Sequence, residues 1–281
     1  MNIQRKPDWL KIDFKSSGNY SVVSKILKIN NLHTICVSGR CPNLAECWNR
    51  GTATFMILGN ICTRSCKFCN TLTGNPLPPD PAEPNNVANA VKTMNLRNVV
   101  LTSVTRDDLA DGGAEHWAKC ILSIKAENPA VKIETLIPDF CGNKLLINKI
   151  ADAKPNIISH NIETVKRLTP TVRNAASFET SLAVLQYVSS KNIRVKSGLM
   201  LGLGETEEEI FETMDSLLES GCEVLTLGQY LQPTKKHLPV AAYIRPEKFA
   251  EYKKIALQKG FGFVESGPLV RSSYHAENCM I

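Results

Sequence analysis

The chain has 281 residues, 43% of them hydrophobic, which is enough core for one large α/β barrel or two smaller domains. Ten cysteines would suggest disulfides in a secreted protein, but residues 1–20 hold no apolar leader-like stretch and no run approaches a membrane span, so a reducing, cytoplasmic setting is expected. The formal charge of +6 comes without a Lys/Arg tract, which gives no prompt for nucleic-acid binding and suits an acidic protein partner equally well.

Residues 1–53 show little periodic pattern and read as an extension wrapped on a core. They hold a first cysteine triplet, Cys36, Cys41 and Cys47, with four and then five residues between its members. From Thr54 onward short apolar runs alternate with helical periodicity. Strands are expected at Thr54–Leu58, Asn98–Val104, Val131–Ile137, Asn156–His160, Ile193–Leu201 and Glu223–Leu227. Helices fall between them, such as Glu207–Ser220, with Ile210, Met214, Leu217 and Leu218 on one stripe. Six strands alternating with helices predict parallel βα units and a partial (β/α)6 barrel over residues 54–260, with 261–281 as a C-terminal segment. Reactive groups in such barrels sit on the loops that follow the strands. Cys62, Cys66 and Cys69 follow the first strand, Asp107 and Asp108 the second, Asp139 the third, Asn161 and Glu163 the fourth. These polar groups are expected to converge over one opening.

The second triplet, Cys62, Cys66 and Cys69, has three and then two intervening residues. Thiolates this close are candidate ligands for a soft metal centre. Each triplet offers three sulfurs, one short of the four that close a cubane cluster. Structural zinc is the plainer alternative, but it wants four ligands. Phe68, just before the last cysteine, would shield a cluster from water. Gly202 and Gly204 follow a strand and open a helix, as a dinucleotide-binding loop would. Yet Glu207 stands where a third glycine belongs, and Thr206 and Glu209 are spaced as a capping box. Carboxylates crowding that helix end would repel a pyrophosphate.

The Cys62-x3-Cys66-x2-Cys69 spacing, with its aromatic, resembles the signature of radical S-adenosylmethionine (SAM) enzymes. The run from Gly198 to Glu205 is similar to that family's strand near the adenine, with Met200 where isoleucine is usual. The resemblance implies a 4Fe–4S cluster whose free iron chelates the methionine end of the nucleotide, leading to a 5′-deoxyadenosyl radical. Gly198, Met200, Gly202 and Glu205 are then expected near the adenine. Arg173 is the candidate cation for the carboxylate. Asn161 and Glu163 are candidates for the ribose or amino group, with Ser103 and Thr105 assisting.

The first triplet together with Arg271-Ser272-Ser273-Tyr274 resembles the lipoyl synthase family, and the resemblance runs from about Leu32 to Ala276. It implies insertion of sulfur at C6 and C8 of an octanoyl chain on a lysine of a lipoyl carrier domain, in 2-oxoacid dehydrogenase E2 subunits or the glycine-cleavage H protein. It also implies a low-potential electron donor and a second 4Fe–4S cluster, held by Cys36, Cys41, Cys47 and a serine, that supplies the sulfur. Ser273 is carried over as that ligand, with Ser272 as the fallback. A hard oxygen suits a thiolate site poorly, so its iron would be the one most easily lost. No acid–base triad is expected, and His33, His116 and His237 have no assigned role. The alternatives are another radical SAM enzyme with an auxiliary cluster, for methylthiolation or peptide modification, and a non-enzymatic iron–sulfur electron carrier.

Overall fold

Along the central strands of the sheet, aliphatic and β-branched residues are buried on both faces, as a parallel sheet requires. In the computed structural model, which describes residues 5–11, 18–50, 52 and 54–279, the chain begins with helix α1 (Gly18–Ile29) and strand β1 (His33–Thr34). Ala53, the last residue of the expected extension, lies outside the described residues. Two short helices, α2 (Ile35–Ser38) and α3 (Leu44–Asn49), carry Cys36 and Cys47, with Cys41 between them. Next come β2 (Thr54–Ile57), then β3 (Ile61–Cys62) and β4 (Leu72–Thr73), which pair with each other in the cysteine loop. The chain continues through α4 (Glu83–Thr93), β5 (Asn98–Ser103), α5 (Ala114–Glu127), β6 (Lys132–Leu136), α6 (Lys144–Asp152) and β7 (Ile157–Ser159). It ends with α7 (Thr169–Val172), α8 (Phe178–Ser189), β8 (Arg194–Leu201), α9 (Glu207–Glu219), β9 (Val224–Gln229), α10 (Pro246–Lys259) and β10 (Phe263–Gly267).

All six expected strands are present. They lie in one eight-stranded sheet, ordered β1-β2-β5-β6-β7-β8-β9-β10. From β2 to β10 the pairing is parallel, and only β1 runs antiparallel. The sheet thus exceeds the expected six strands at both edges and runs past residue 260 into β10. Both extra strands evade a sequence pattern: β1 has two residues, and β10 turns polar after Val264. Helix α9 begins with the foreseen capping box, Thr206 accepting from the Glu209 amide and Glu209 from the Thr206 amide. Its Ile210, Met214 and Leu217 are buried against the sheet.

A smaller apolar cluster forms where Val100, Ile157 and Val224 meet Ala276 and Cys279. Ile157 and Val224 open their strands, so the end of the chain seats at the N-terminal side of the sheet. Arg194 Nη1 donates to the Cys279 carbonyl at 2.6 Å there. Beside it the buried Lys196 ammonium meets the Glu134 carboxylate at 2.9 Å, and the Ser159 hydroxyl donates to the same carboxylate. The loop that carries Cys62, Cys66 and Cys69 lies at the opposite side, after the C-terminal end of β2. Among the described residues no helix is long and apolar enough to cross a membrane.

Candidate functional site

The second triplet lies on the loop after β2. Leu58 (φ +67°) and Gly59 (φ +91°) adopt left-handed backbone there and turn the chain over the mouth. Cys62 Sγ accepts the amide N–H groups of Thr105 at 3.3 Å and Arg64 at 3.4 Å. Cys69 Sγ lies 3.3 Å from the Thr71 hydroxyl. Burial pushes the Cys66 thiol up to about 11; the nearby Arg173 charge pulls it down, and Cys69, Glu163 and Cys62 push it up further. Burial likewise raises Cys69, with Cys62 and Glu163 adding to the rise. The three sulfurs and Glu163 therefore share one electrostatic neighbourhood, which Arg173 offsets. His237 anchors the loop, its Nε2 lying 2.9 Å from the Cys69 carbonyl oxygen.

The first triplet lines a cavity of about 520 Å³ between α1, α2, α3 and the C-terminal segment, and Ser273 lines it too. Burial and the neighbouring Cys36 push Cys41 up to about 11. Burial, Cys36 and Cys41 push Cys47 up to about 12. Ser273 Oγ accepts from the Thr54 hydroxyl at 2.8 Å, whereas the Ser272 hydroxyl turns away and donates to Asn161 Oδ1 at 2.9 Å. The two ends of the chain are tied across the cavity by Asn43 Nδ2 to the Leu269 carbonyl (2.7 Å), Tyr274 Oη to Glu46 (3.0 Å) and Arg50 to Glu277 (2.5 Å). Thiols shifted this far stay protonated at neutral pH until a soft cation displaces the proton. The donor sets of both triplets fit iron–sulfur clusters.

Asn161 stands between the two centres: Ser272 donates to its Oδ1, and its Nδ2 donates to Glu163 Oε1 at 3.2 Å. Glu163 holds a left-handed backbone (φ +67°) because both its peptide groups are paired with β8, its N–H to the Gly198 carbonyl and its C=O to the Met200 amide, each at 2.9 Å. Burial raises the Glu163 carboxyl, and Arg173 partly offsets this. Gly198 lets the fourth-strand loop approach: a Cβ there would sit 2.7 Å from Thr226 Oγ1 and 2.9 Å from Asn161 Oδ1. Arg173 is itself buried, with Nη1 donating to Ser181 Oγ at 2.8 Å and facing the carbonyls of Asn161 and Ile162. Glu205 is turned back on its own loop, accepting the amides of Gly202 (2.5 Å) and Leu203 (2.9 Å). Gly202 packs where a Cβ would lie 2.3 Å from the Ala242 carbonyl oxygen. Ser103 Oγ accepts from the Trp117 indole at 3.2 Å, and Thr105 meets the cysteine loop through its backbone.

The carboxylates expected to converge on the mouth do so, but as partners of arginines the sequence reading passed over. Arg64 grips Asp107 with two nitrogens (2.7 and 2.8 Å) and reaches Asp139 with a third (2.8 Å). Arg106 holds Asp108 in the same bidentate way (2.9 and 2.8 Å). Paired like this, the three aspartates brace the cysteine loop rather than serve as free acids or bases.

The sequence matches the radical SAM superfamily over residues 56–217. It is 58% identical to the lipoyl synthase of Phocaeicola vulgatus over 99% of this chain and 98% of that protein. It is 59% identical to the lipoyl synthase of Bacteroides fragilis over 97% of this chain and 95% of that protein. The chain belongs to the lipoyl synthase family. Among solved structures, a methylornithine synthase aligns with a TM-score of 0.57 at 13% identity, over 88% of this chain and 77% of that one. SuiB of Streptococcus suis bound to S-adenosylmethionine aligns at 0.60 and 12% identity, over 79% of this chain and 53% of that one. These two likenesses show a shared fold.

Lipoyl synthases, as radical SAM proteins, call for a 4Fe–4S cluster and SAM, and the second triplet brings three thiols to the loop at the mouth. One further group around that loop was missed. The Glu83 carboxylate, at the start of α4, accepts the Leu58 amide at 2.8 Å and meets His116 Nε2 at 2.6 Å. Arg106 Nη1 donates to the Leu58 carbonyl at 3.2 Å. Both peptide groups of the left-handed Leu58 are thereby held from outside the loop. Glu83 and His116 sit on separate helices with no shared motif, so only the fold reveals the pair.

Proposed function

We propose that the chain inserts two sulfur atoms, at C6 and C8, into an octanoyl group carried on a lysine of a lipoyl carrier domain. The cluster held by Cys36, Cys41, Cys47 and Ser273 is the sulfur source and is consumed as a substrate. One observation carries this reading: segments more than 200 residues apart close a single cavity of about 520 Å³ around three thiols and the Ser273 hydroxyl. An electron carrier has no need of such a second chamber. In this reading the described N-terminal segment around the first triplet and the segment after β10 enclose the auxiliary cluster, while β1 and β10 belong to the barrel sheet. A low-potential donor feeds electrons to the second centre.

No side-chain base can take a proton from an unactivated methylene. The bound cluster of the second triplet and SAM supply the hydrogen-abstracting chemistry instead. Cys62, Cys66 and Cys69 would hold that cluster, and the amides of Arg64 and Thr105 stabilise thiolate charge on Cys62. Arg173 attracts the nucleotide's carboxylate, and Glu163 and Asn161 orient its amino group and ribose. Gly198, Met200, Gly202 and Glu205 shape the strand end against which the adenine lies, and Ser103 and Thr105 border it. The Ser272–Asn161–Glu163 chain fixes one centre relative to the other, so that the reacting carbons are held between them.

Anaerobic reconstitution should give about eight irons and eight sulfides per chain, two cubanes' worth. With reductant, SAM and an octanoylated carrier domain, the wild type should form lipoyl product. Cys41→Ala and Ser273→Ala should still cleave SAM but add no sulfur, Cys66→Ala should do neither, and Ser272→Ala should keep its iron. Sulfur insertion by Cys41→Ala would sink the donor assignment.

A further inference from the structure

Three segments that meet at the mouth, residues 36–45, 59–79 and 230–246, contain not one Asp or Glu. They are joined to each other by hydrogen bonds: Arg40 to the Pro233 carbonyl (3.2 Å), Asn70 to the Ser38 carbonyl (2.8 Å) and the Leu238 amide to the Lys67 carbonyl (3.2 Å). Arg40, Lys67, Lys235 and Lys236 are exposed on this face, and none makes an ion pair among the described residues. On the outer helices Lys92 and Lys149 each face a carboxylate, while Lys28, Lys144 and Lys254 have no ion pair among the described residues. What sets this face apart is that its three segments hold cations and no acid at all. Among these cations stand exposed apolar side chains, Val37 at 55% and Leu72 at 63% exposure. Unpaired charge of one sign around an apolar patch is the signature of a face that meets its complement elsewhere.

We infer that this face docks the folded carrier domain, through an acidic surface of that domain flanking its modified lysine. The inference rests on the lipoyl synthase reading for the identity of the partner, and on charge complementarity for the location. The cations sit on the rim of the opening, not in it. They steer and seat the carrier, while the octanoyl chain alone enters the mouth.

The test compares two substrates, an octanoylated lipoyl domain and a short neutral octanoyl-lysine peptide that lacks the domain's surface. For Lys235→Glu/Lys236→Glu, KM for the domain should rise about tenfold with kcat unchanged, since rim charges act on encounter more than on chemistry. Turnover of the peptide should stay at the wild-type value. Added salt should raise the wild-type KM for the domain and flatten the difference between the two proteins. An unchanged KM for the domain, or an equal loss on both substrates, overturns the docking assignment. Failure of the wild type on both substrates would instead overturn the proposed function.

Discussion

His160, at the end of β7, is 2% exposed and fully engaged. Its Nδ1 donates to the Ile137 carbonyl at 2.9 Å, and its Nε2 accepts from Ser181, whose oxygen also receives Arg173 Nη1. Burial first, and the Arg173 charge second, lower its pKa to about 4. The unfolded chain takes up that proton near pH 6.5, so between these values it binds more protons than the fold does, and stability is lost as pH falls through the window. At pH 5 the loss relative to pH 7 should be about 2 kcal/mol from this residue. Denaturant unfolding of the metal-free protein at both pH values checks it: in His160→Gln the difference should shrink by that amount, and an unchanged difference would refute it. The sequence placed His160 in a strand without a role, because a hydrogen-bond chain through Ser181 and Arg173 appears only when α8 packs. The two serines illustrate the same limit. Ser272 and Ser273 are indistinguishable as letters, and only the path of the C-terminal segment sends one to Asn161 and the other to the cysteine cavity.

Among the elements, the β2 turn combines strain with support. A buried leucine at φ +67° costs about 1–3 kcal/mol and persists only where its surroundings impose it. Glu83 from α4 and Arg106 from the loop after β5 hold its N–H and C=O, and Gly113 leaves room for its side chain, since a Cβ there would lie 2.5 Å from Leu58 Cδ1. Glu83→Ala should therefore lower stability by about 1–3 kcal/mol, the cost of an unpaired buried amide. It should also speed loss of the cluster absorbance from the second triplet, whereas Glu83→Gln, which keeps an acceptor, should recover most of both. A variant with wild-type iron retention would show that the turn needs no such clamp. The six central strands were readable because each carries buried aliphatic residues and is set between helices of strong period, even where β6 and β8 also bury the Glu134–Lys196 pair. The edges were not, since β1 is fixed by pairing with β2 and β10 by pairing with β9, both non-local facts.

At the scale of the whole molecule, the last residues of the chain do two adjoining jobs, with Val100 and Ala276 common to both. Ser273 and Tyr274 close the auxiliary cavity, and Ala276 and Cys279 cover Val100, Ile157 and Val224 beside it. The cysteine loop at the mouth depends on neither; its anchors are β4, Thr105, Val172 and the segment around His237. Removing residues 271–281 should thus separate the two centres. Iron after reconstitution should fall from about eight to about four per chain, because the first triplet loses the Ser273 hydroxyl proposed as its fourth ligand and one wall of its cavity. SAM cleavage should persist, uncoupled from sulfur insertion. The unfolding midpoint should drop as well, since the buried Lys196–Glu134 pair and its apolar neighbours would lose their cover. Iron content measured on the folded truncated protein decides the matter: a value remaining near eight would mean that the tail contributes no ligand and that the cavity can be closed by the N-terminal segment alone.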